Sequence, residues 1–321
     1  MIESGGLDAT VDAVVEGALL GGPRRYNRRQ VAELSGVPVE RAQRLWVALG
    51  FPAAASDDEV GFTDADVVAV RTFTAMQAIA GADEQSQVTA ARTLGRAMAR
   101  LAEWQADLIT RELGDGEVTA QTIKVLGELQ EYAWHRHLAA ALGRSHESGG
   151  ATRQLLVGFA DMVGYTRLSR HLDPDELTEL LDTFESATTD AITAHGGWVI
   201  KNVGDEVMFA AENVRDGARI ALAMNAAVTA AAQRISEMPQ IRTGLAYGPV
   251  LTRFGDLYGT VVNVAARLTG VARPGTILLD DGAAAALGED DAEFTLRHLR
   301  GVRVKGFSRL RSHVLRERKR K

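Results

Sequence analysis

The sequence predicts an α+β protein in two parts: an all-helical N-terminal domain, then a ferredoxin-like domain built on the order βαββαβ. Three observations carry this. Residues 1 to about 143 show helical periodicity with few strand signals. From 151 onward, short β-forming runs alternate with helical ones. Between them "GRSHESGG" (143–150) is small and polar, the composition of a linker. The expected boundaries are 1–143, a linker at 144–152, and 153–321. A chain of 321 residues suits two domains of about 100–200 residues each.

In the first part, "VDAVVEGALL" is one helical run. "RRQVAELSG" and "VERAQRLWVALG" read as helix, glycine turn, helix. "TDADVVAVRTFTAMQAIA" opens on Thr63 as N-cap, with Asp66 three residues on. "SQVTAARTLGRAMARLAEWQADLITREL" and "TAQTIKVLGELQEYAWHRHLAAAL" are two long helices.

In the second part "QLLVGFAD" is a continuous apolar run, hence a buried strand. "DPDELTELLDTFESATTDAITAHGG" is a long helix with acids in its first turn and a glycine stop. "WVIKNVGDEVMFAA" reads as two short strands around a turn. A second helix follows in "NVRDGARIALAMNAAVTAAAQRI", then a strand pair punctuated by Gly-Pro in "IRTGLAYGPVLTRFG". "GTVVNVAARLTGVA" is a shorter helix, and "TILLDD", "FTLRHL" and "RSHVLRE" are late strands.

Composition narrows the function. The chain is 46% hydrophobic and 24% charged, with a net charge of −6. That balance argues against a surface that tracks nucleic acid throughout. The absence of cysteine removes disulfides, thiolate metal sites and cysteine nucleophiles, and fits a cytoplasmic setting. Neither a signal peptide nor a membrane span is legible.

Four segments carry candidate chemistry. Asp161 in "LLVGFADMVGYT" leaves a buried strand for a glycine-containing turn, where a carboxylate can hold a metal; it equally suits a helix N-cap. Lys201 and Asp205 flank the turn of "IKNVGDEVMF". The βαββαβ order puts that hairpin tip and Asp161 at the same end of the sheet. Two carboxylates there repel unless cations join them. Asn263 and Arg267 in "GDLYGTVVNVAARL" are four apart on one helix face, behind Asp256. They suit a ribose–phosphate edge, or an ordinary polar face. Lys305 in "LRGVRVKGF" is a point charge fit for a terminal phosphate, or a turn lysine.

In that order, "FADMVGYT", "KNVGDEVMF", "GDLYGTVVNVAARL" and "RGVRVKGF" resemble the catalytic domain of class III nucleotide cyclases, over about 153–315. The resemblance implies that Asp161 and Asp205 bind two Mg²⁺ or Mn²⁺ ions per active site. Lys201 and Asp256 stand where adenylyl cyclases read the base. A lysine donor and an aspartate acceptor match adenine N1 and N6, and guanine presents the opposite pattern. Asn263 would orient the ribose, Arg267 would meet charge on the phosphates, and Lys305 would contact the triphosphate. The implied reaction is attack of the ATP ribose 3′-oxygen on the α-phosphorus, with loss of pyrophosphate. The family builds its sites between chains, which implies a homodimer.

"YNRRQVAELSGVPVERAQRLWVALGFP" and "GFTDADV" resemble a helix-turn-helix module of the MerR kind, over 24–70. Arg24, Arg25, Arg28, Arg29, Arg41 and Arg44 charge it positively. An alternative reading is therefore a DNA-binding regulator with a cyclase-like nucleotide-sensing domain. The full layout resembles soluble actinobacterial cyclases with a regulatory N-terminal domain. That resemblance implies dimerisation through both domains and restraint of catalysis by the first. It leaves room for a small-molecule or lipid effector, with no stable nucleic-acid or membrane partner. His135, His137 and His146 near the junction are candidates for a pH switch.

Overall fold

A computed structural model describes residues 15–53, 56–81, 83–113, 119–146, 152–235, 237–288, 291–304 and 307–318. The chain divides into two compact units, Met1–Glu147 and Ser148–Lys321.

The first unit is helical. Its helices are α1 (Arg28–Ser35), α2 (Val39–Ala48), α3 (Asp64–Ala80), α4 (Glu84–Leu113) and α5 (Ala120–His146). Asn27 caps α1 in a full capping box with Gln30, satisfying two orphan N–H groups. Asp66 accepts from the Thr63 backbone N–H at 2.7 Å, so the expected N-terminus of α3 holds. Val31, Val37, Phe62, Val67 and Val70 form a small core against Trp46. One antiparallel bridge, Tyr26 to Phe62, ties its ends. Helix α5 runs on to His146, into the segment expected as linker.

The second unit contains β1 (Thr152–Met162), α6 (Tyr165–Leu168), α7 (Pro174–Ala194), β2 (Trp198–Val203), β3 (Glu206–Ala211), α8 (Val214–Ala231) and β4 (Ile241–Arg253). It continues with β5 (Asp256–Tyr258), α9 (Thr260–Val271), β6 (Ile277–Leu279), α10 (Asp281–Leu287), β7 (Phe294–Val304) and β8 (Phe307–Glu317). The sheet order is β2-β3-β1-β4-β6-β8-β7, with β5 paired to β4. Its first four strands have the ferredoxin-like order, and β1 runs antiparallel to both neighbours. One face of the sheet buries Leu156, Ala160, Val207, Phe209 and Leu245 against α7 and α8. The other buries Leu155, Val157, Phe159 and Met208 with Val261, Val264 and Leu268 of α9.

"IRTGLAYGPVLTRFG" departs from the expected strand pair: residues 241–253 are one strand, and the second partner is the short β5. Proline inside a strand normally breaks a ladder bond. Here β6 pairs with β4 only as far as Leu245, and β5 begins its pairing at Leu251. Two residues before Pro249, the Tyr247 N–H points to that open edge and donates to Asp280 Oδ1. The missing N–H of Pro249 falls on the same edge, where no ladder bond is needed.

Gly244 decides how closely α9 approaches the sheet. A Cβ there would lie 2.3 Å from the Thr269 backbone N and 2.4 Å from the Ala265 carbonyl oxygen. The Thr269 hydroxyl then reaches the Phe159 carbonyl oxygen at 3.2 Å. This contact fixes the helix that carries Asn263 and Arg267.

Candidate active site

Asp161 ends β1 and is almost fully buried. Asp205 follows Gly204 in the two-residue turn joining β2 to β3, where Val203 pairs with Glu206. Gly204 takes φ +61°, which glycine adopts at no steric cost in this tight hairpin. The Met162 N–H donates to the Asp205 carbonyl oxygen at 3.0 Å, drawing the hairpin tip against the end of β1. The two carboxylates are thus brought together, as the strand order required. Burial, then the neighbouring Asp161 charge, push the Asp205 carboxyl above the usual carboxylate range. Burial and the same two aspartates push Glu206 up as well.

Among the described residues, one arginine pairs with these like charges. Arg242, opposite Asp161 on β4, donates to Asp161 Oδ2 from Nε at 2.6 Å, with Nη2 at 2.5 Å. Its Nη1 donates to the Gly270 carbonyl oxygen in α9 at 3.2 Å. Arg242 is absent from the sequence reading, because an arginine in a strand pattern gives no sign of its cross-strand partner. The two clustered carboxylates are hard oxygen donors of the kind divalent cations take; among the described residues no group of three or more His, Cys, Asp or Glu is placed for a metal.

The second set lies on the same face of the sheet. Lys201 Nζ donates to Asp256 Oδ2 at 2.7 Å, bridging β2 and β5. A second Asp256 oxygen accepts from the Leu257 N–H at 2.8 Å, which holds the carboxylate still. Asn263 and Arg267 stand exposed on α9, opposite its buried residues Val264, Ala265 and Leu268. Neither side chain has a hydrogen bond or ion pair among the described residues. Nor does any such bond join the Asp161–Asp205 set to the Lys201–Asp256 set. Lys305 lies outside the described residues.

Several large apolar side chains near these groups are exposed. Val203 is 61% exposed, Tyr258 48% and Phe254 45%, with Leu251 and Val271 beside them. Phe254 adopts φ +53° in the β4–β5 turn, a strained conformation for an aromatic residue.

Of the histidines near the junction, the side chain of His146 lies outside the described residues. His135 and His137 are exposed on α5, two residues apart and so on different faces of the helix. His146 ends the same helix, nine residues beyond His137. Five of the six arginines of the N-terminal motif pair with acids and Arg41 meets an amide, instead of forming a free basic face. Arg24 pairs with Glu16 at 2.5 Å, Arg25 with Asp64 at 3.3 Å, and Arg28 and Arg29 with Asp57. Arg44 pairs with Glu84 at 2.7 Å and Arg41 donates to Gln87 at 2.8 Å, docking α2 on the start of α4.

Residues 150–317 match the family described as the adenylate and guanylate cyclase catalytic domain. The chain belongs to that family, the class III nucleotide cyclases. Within it the chain groups with adenylate cyclases. It is 39% identical to the adenylate cyclase of Streptomyces coelicolor over 289 residues, covering 85% of this chain and 74% of that one. It is 34% identical to the adenylate cyclase of Glutamicibacter nicotianae over 334 residues, covering 94% and 81%. Among solved structures, the adenylyl cyclase CyaB from P. aeruginosa superposes with a TM-score of 0.48 at 24% identity, covering 53% of this chain and 96% of that chain. Among the described residues no helix is long and apolar enough to cross a membrane.

Proposed function

We propose that the protein converts ATP to 3′,5′-cyclic AMP and pyrophosphate at sites shared between two copies of the chain. The observation that carries the choice of nucleotide is the Lys201–Asp256 pair. Its ammonium can donate to adenine N1 while the carboxylate accepts from the N6 amine. Guanine, with a donor at N1 and an acceptor at O6, would leave both groups unpaired.

In the reaction the ribose 3′-oxygen forms a bond to the α-phosphorus as the bond to the bridging pyrophosphate oxygen breaks. The 3′-hydroxyl proton passes to solvent. Asp161 and Asp205 would hold Mg²⁺ or Mn²⁺, which when bound supply positive charge at the attacking and leaving oxygens. Asn263 orients the ribose, and the exposed Arg267 fork meets the charge that builds on the phosphates. Lys305 adds a contact to the triphosphate. Catalysis is then positioning and electrostatics, with no side chain acting as a dedicated base.

Two features support the shared site. Asn263 and Arg267 are exposed and have no partner among the described residues, and the site's rim carries exposed Val203, Phe254 and Tyr258 that a second copy would cover. The N-terminal unit offers a further dimer surface. Leu94, Met98, Trp104, Leu126 and Trp134 line an apolar groove along α4 and α5. A small-molecule or lipid effector would compete for that groove. Restraint of catalysis by this unit would act through the relative placement of the two catalytic chains. The paired arginines of 24–44 leave the DNA-binding alternative without a supporting observation.

The test is cyclic nucleotide formation from ATP and from GTP with Mn²⁺, for the whole chain. Cyclic AMP formed in preference to cyclic GMP is expected. Equal turnover of the two, or none of ATP, would overturn the reading.

A further inference from the structure

On β2 the alternation of faces breaks at one point. Trp198 and Ile200 pack with the core under α9, and Val199 packs with the core under α7 and α8. The pairing with β3 then slips between Val199 and Lys201. As a result Lys201 lies opposite Met208, and Asn202 lies opposite Val207. Met208 belongs to the α9 face and Val207 to the α7–α8 face. Lys201 therefore shares the face of Ile200, its immediate neighbour. In a regular strand it would point the other way. The bulge is what aims Lys201 at Asp256 rather than at α7.

Something must hold that register, because a one-residue slip exchanges the faces of every side chain beyond it. Asn202 is placed to do so. Its Nδ2 donates to Glu185 Oε1 on α7 at 2.8 Å. Its Oδ1 is buried and has no partner among the described residues, so this bond is the side chain's one polar anchor. Glu185 sits beside Phe184, one of the residues that seat α7 on the sheet. In the slipped register Asn202 would turn to the α9 face and the bond to Glu185 could not form.

We infer that Glu185 and Asn202 are positioning residues for nucleobase recognition: their hydrogen bond locks the β2 bulge that presents Lys201 to the base. Neither residue touches the nucleotide. The inference rests on the reading of Lys201 as the adenine contact.

The experiment compares Glu185→Ala, Glu185→Gln, Asn202→Ala and Lys201→Ala in the whole chain. Each variant is assayed for kcat/KM with ATP and with GTP, and for its thermal midpoint. Where GTP turnover falls below detection, its inhibition constant against ATP replaces it. Glu185 is exposed, so its variants are expected to fold. Loss of one such bond should cut the ATP-to-GTP preference by about fivefold in Glu185→Ala and Asn202→Ala, mainly through KM for ATP. Glu185→Gln keeps an acceptor oxygen and should keep the preference. A preference unchanged in both alanine variants, or equal losses on the two nucleotides, overturns the positioning role. Lys201→Ala separates the two claims. If it too leaves the preference intact, the adenine reading fails; if it alone abolishes the preference, only the positioning role does.

Discussion

Lys201 Nζ and Asp256 Oδ2, 55 residues apart in the chain, meet at 2.7 Å across two strands. The pair is partly exposed, 41% for the lysine side chain and 29% for the aspartate. An ion pair in that setting adds at most about 1 kcal/mol to stability. Its value lies in holding a donor and an acceptor side by side. Lys201→Ala should therefore lower kcat/KM for ATP by about a hundredfold while the thermal midpoint hardly moves. A large drop in melting temperature with modest kinetic loss would mark the pair as structural.

The shared site predicts complementation. In the proposed site, Asp161→Ala would remove a metal ligand, and Arg267→Ala would remove the charge that faces the phosphates. Each homodimer should be inactive. Mixed under conditions of subunit exchange, the two chains should regain about a quarter of wild-type activity, since half the dimers are mixed and each has one intact site. A mixture that stays inactive despite proven exchange refutes the arrangement.

Metal binding should depend on pH in a defined direction. The Asp205 carboxyl is raised by burial and by Asp161. A carboxyl raised in the fold favours the folded state below its unfolded value of 3.8, and that contribution is lost as pH rises through the folded value. At neutral pH the metal-free chain thus carries a like-charge penalty that a cation removes. The rise in melting temperature on adding Mn²⁺ should be larger at pH 7.5 than at pH 5, and should vanish in Asp205→Asn. Equal shifts at both pH values would argue against the assignment.

The opposite sign holds at the start of β7. Burial by itself would raise the Asp291 carboxyl, but N–H bonds from Glu293 and Phe294 and the Arg215 guanidinium outweigh it and hold it below the usual range. Glu293 is lowered by its bond to Arg219, which donates from Nε and Nη2 at 2.8 Å. Lowered carboxyls stabilise the fold above their unfolded values of 3.8 and 4.5, and that stability goes as pH falls through the folded values. Asp291→Ala should cost about 2–4 kcal/mol at pH 7, because it strands two backbone donors beside a buried site. It should also flatten the loss of stability below about pH 4. A variant that keeps the acid slope of the wild type would show that other carboxylates set it.

Much of the catalytic unit is legible without coordinates because its signals are local. An aspartate leaving a continuous apolar strand, a Gly-Asp turn between β-formers, and an Asn–Arg pair at helical spacing each follow from neighbours in the chain. The βαββαβ order then predicts that Asp161 and Asp205 share one end of the sheet, and they do. Pairing is different in kind. That Arg242 answers Asp161, that Pro249 lies within one strand, and that Arg41 and Arg44 dock on α4 all depend on segments far apart in sequence. The N-terminal arginines show the point most clearly. Their spacing reads as a basic face, yet each meets a partner whose approach no periodicity encodes.

By itself, then, the sequence determined the two-part architecture, the helices and strands, and the residue types able to hold metal, base and phosphate. It could do so because propensity, capping and periodicity act over a few residues. Tertiary structure alone decided which face Lys201 takes. One extra residue in β2, pinned by Asn202 to Glu185, turns the lysine toward Asp256. Register is a relation between strands, and a bulge leaves the composition of either strand unchanged.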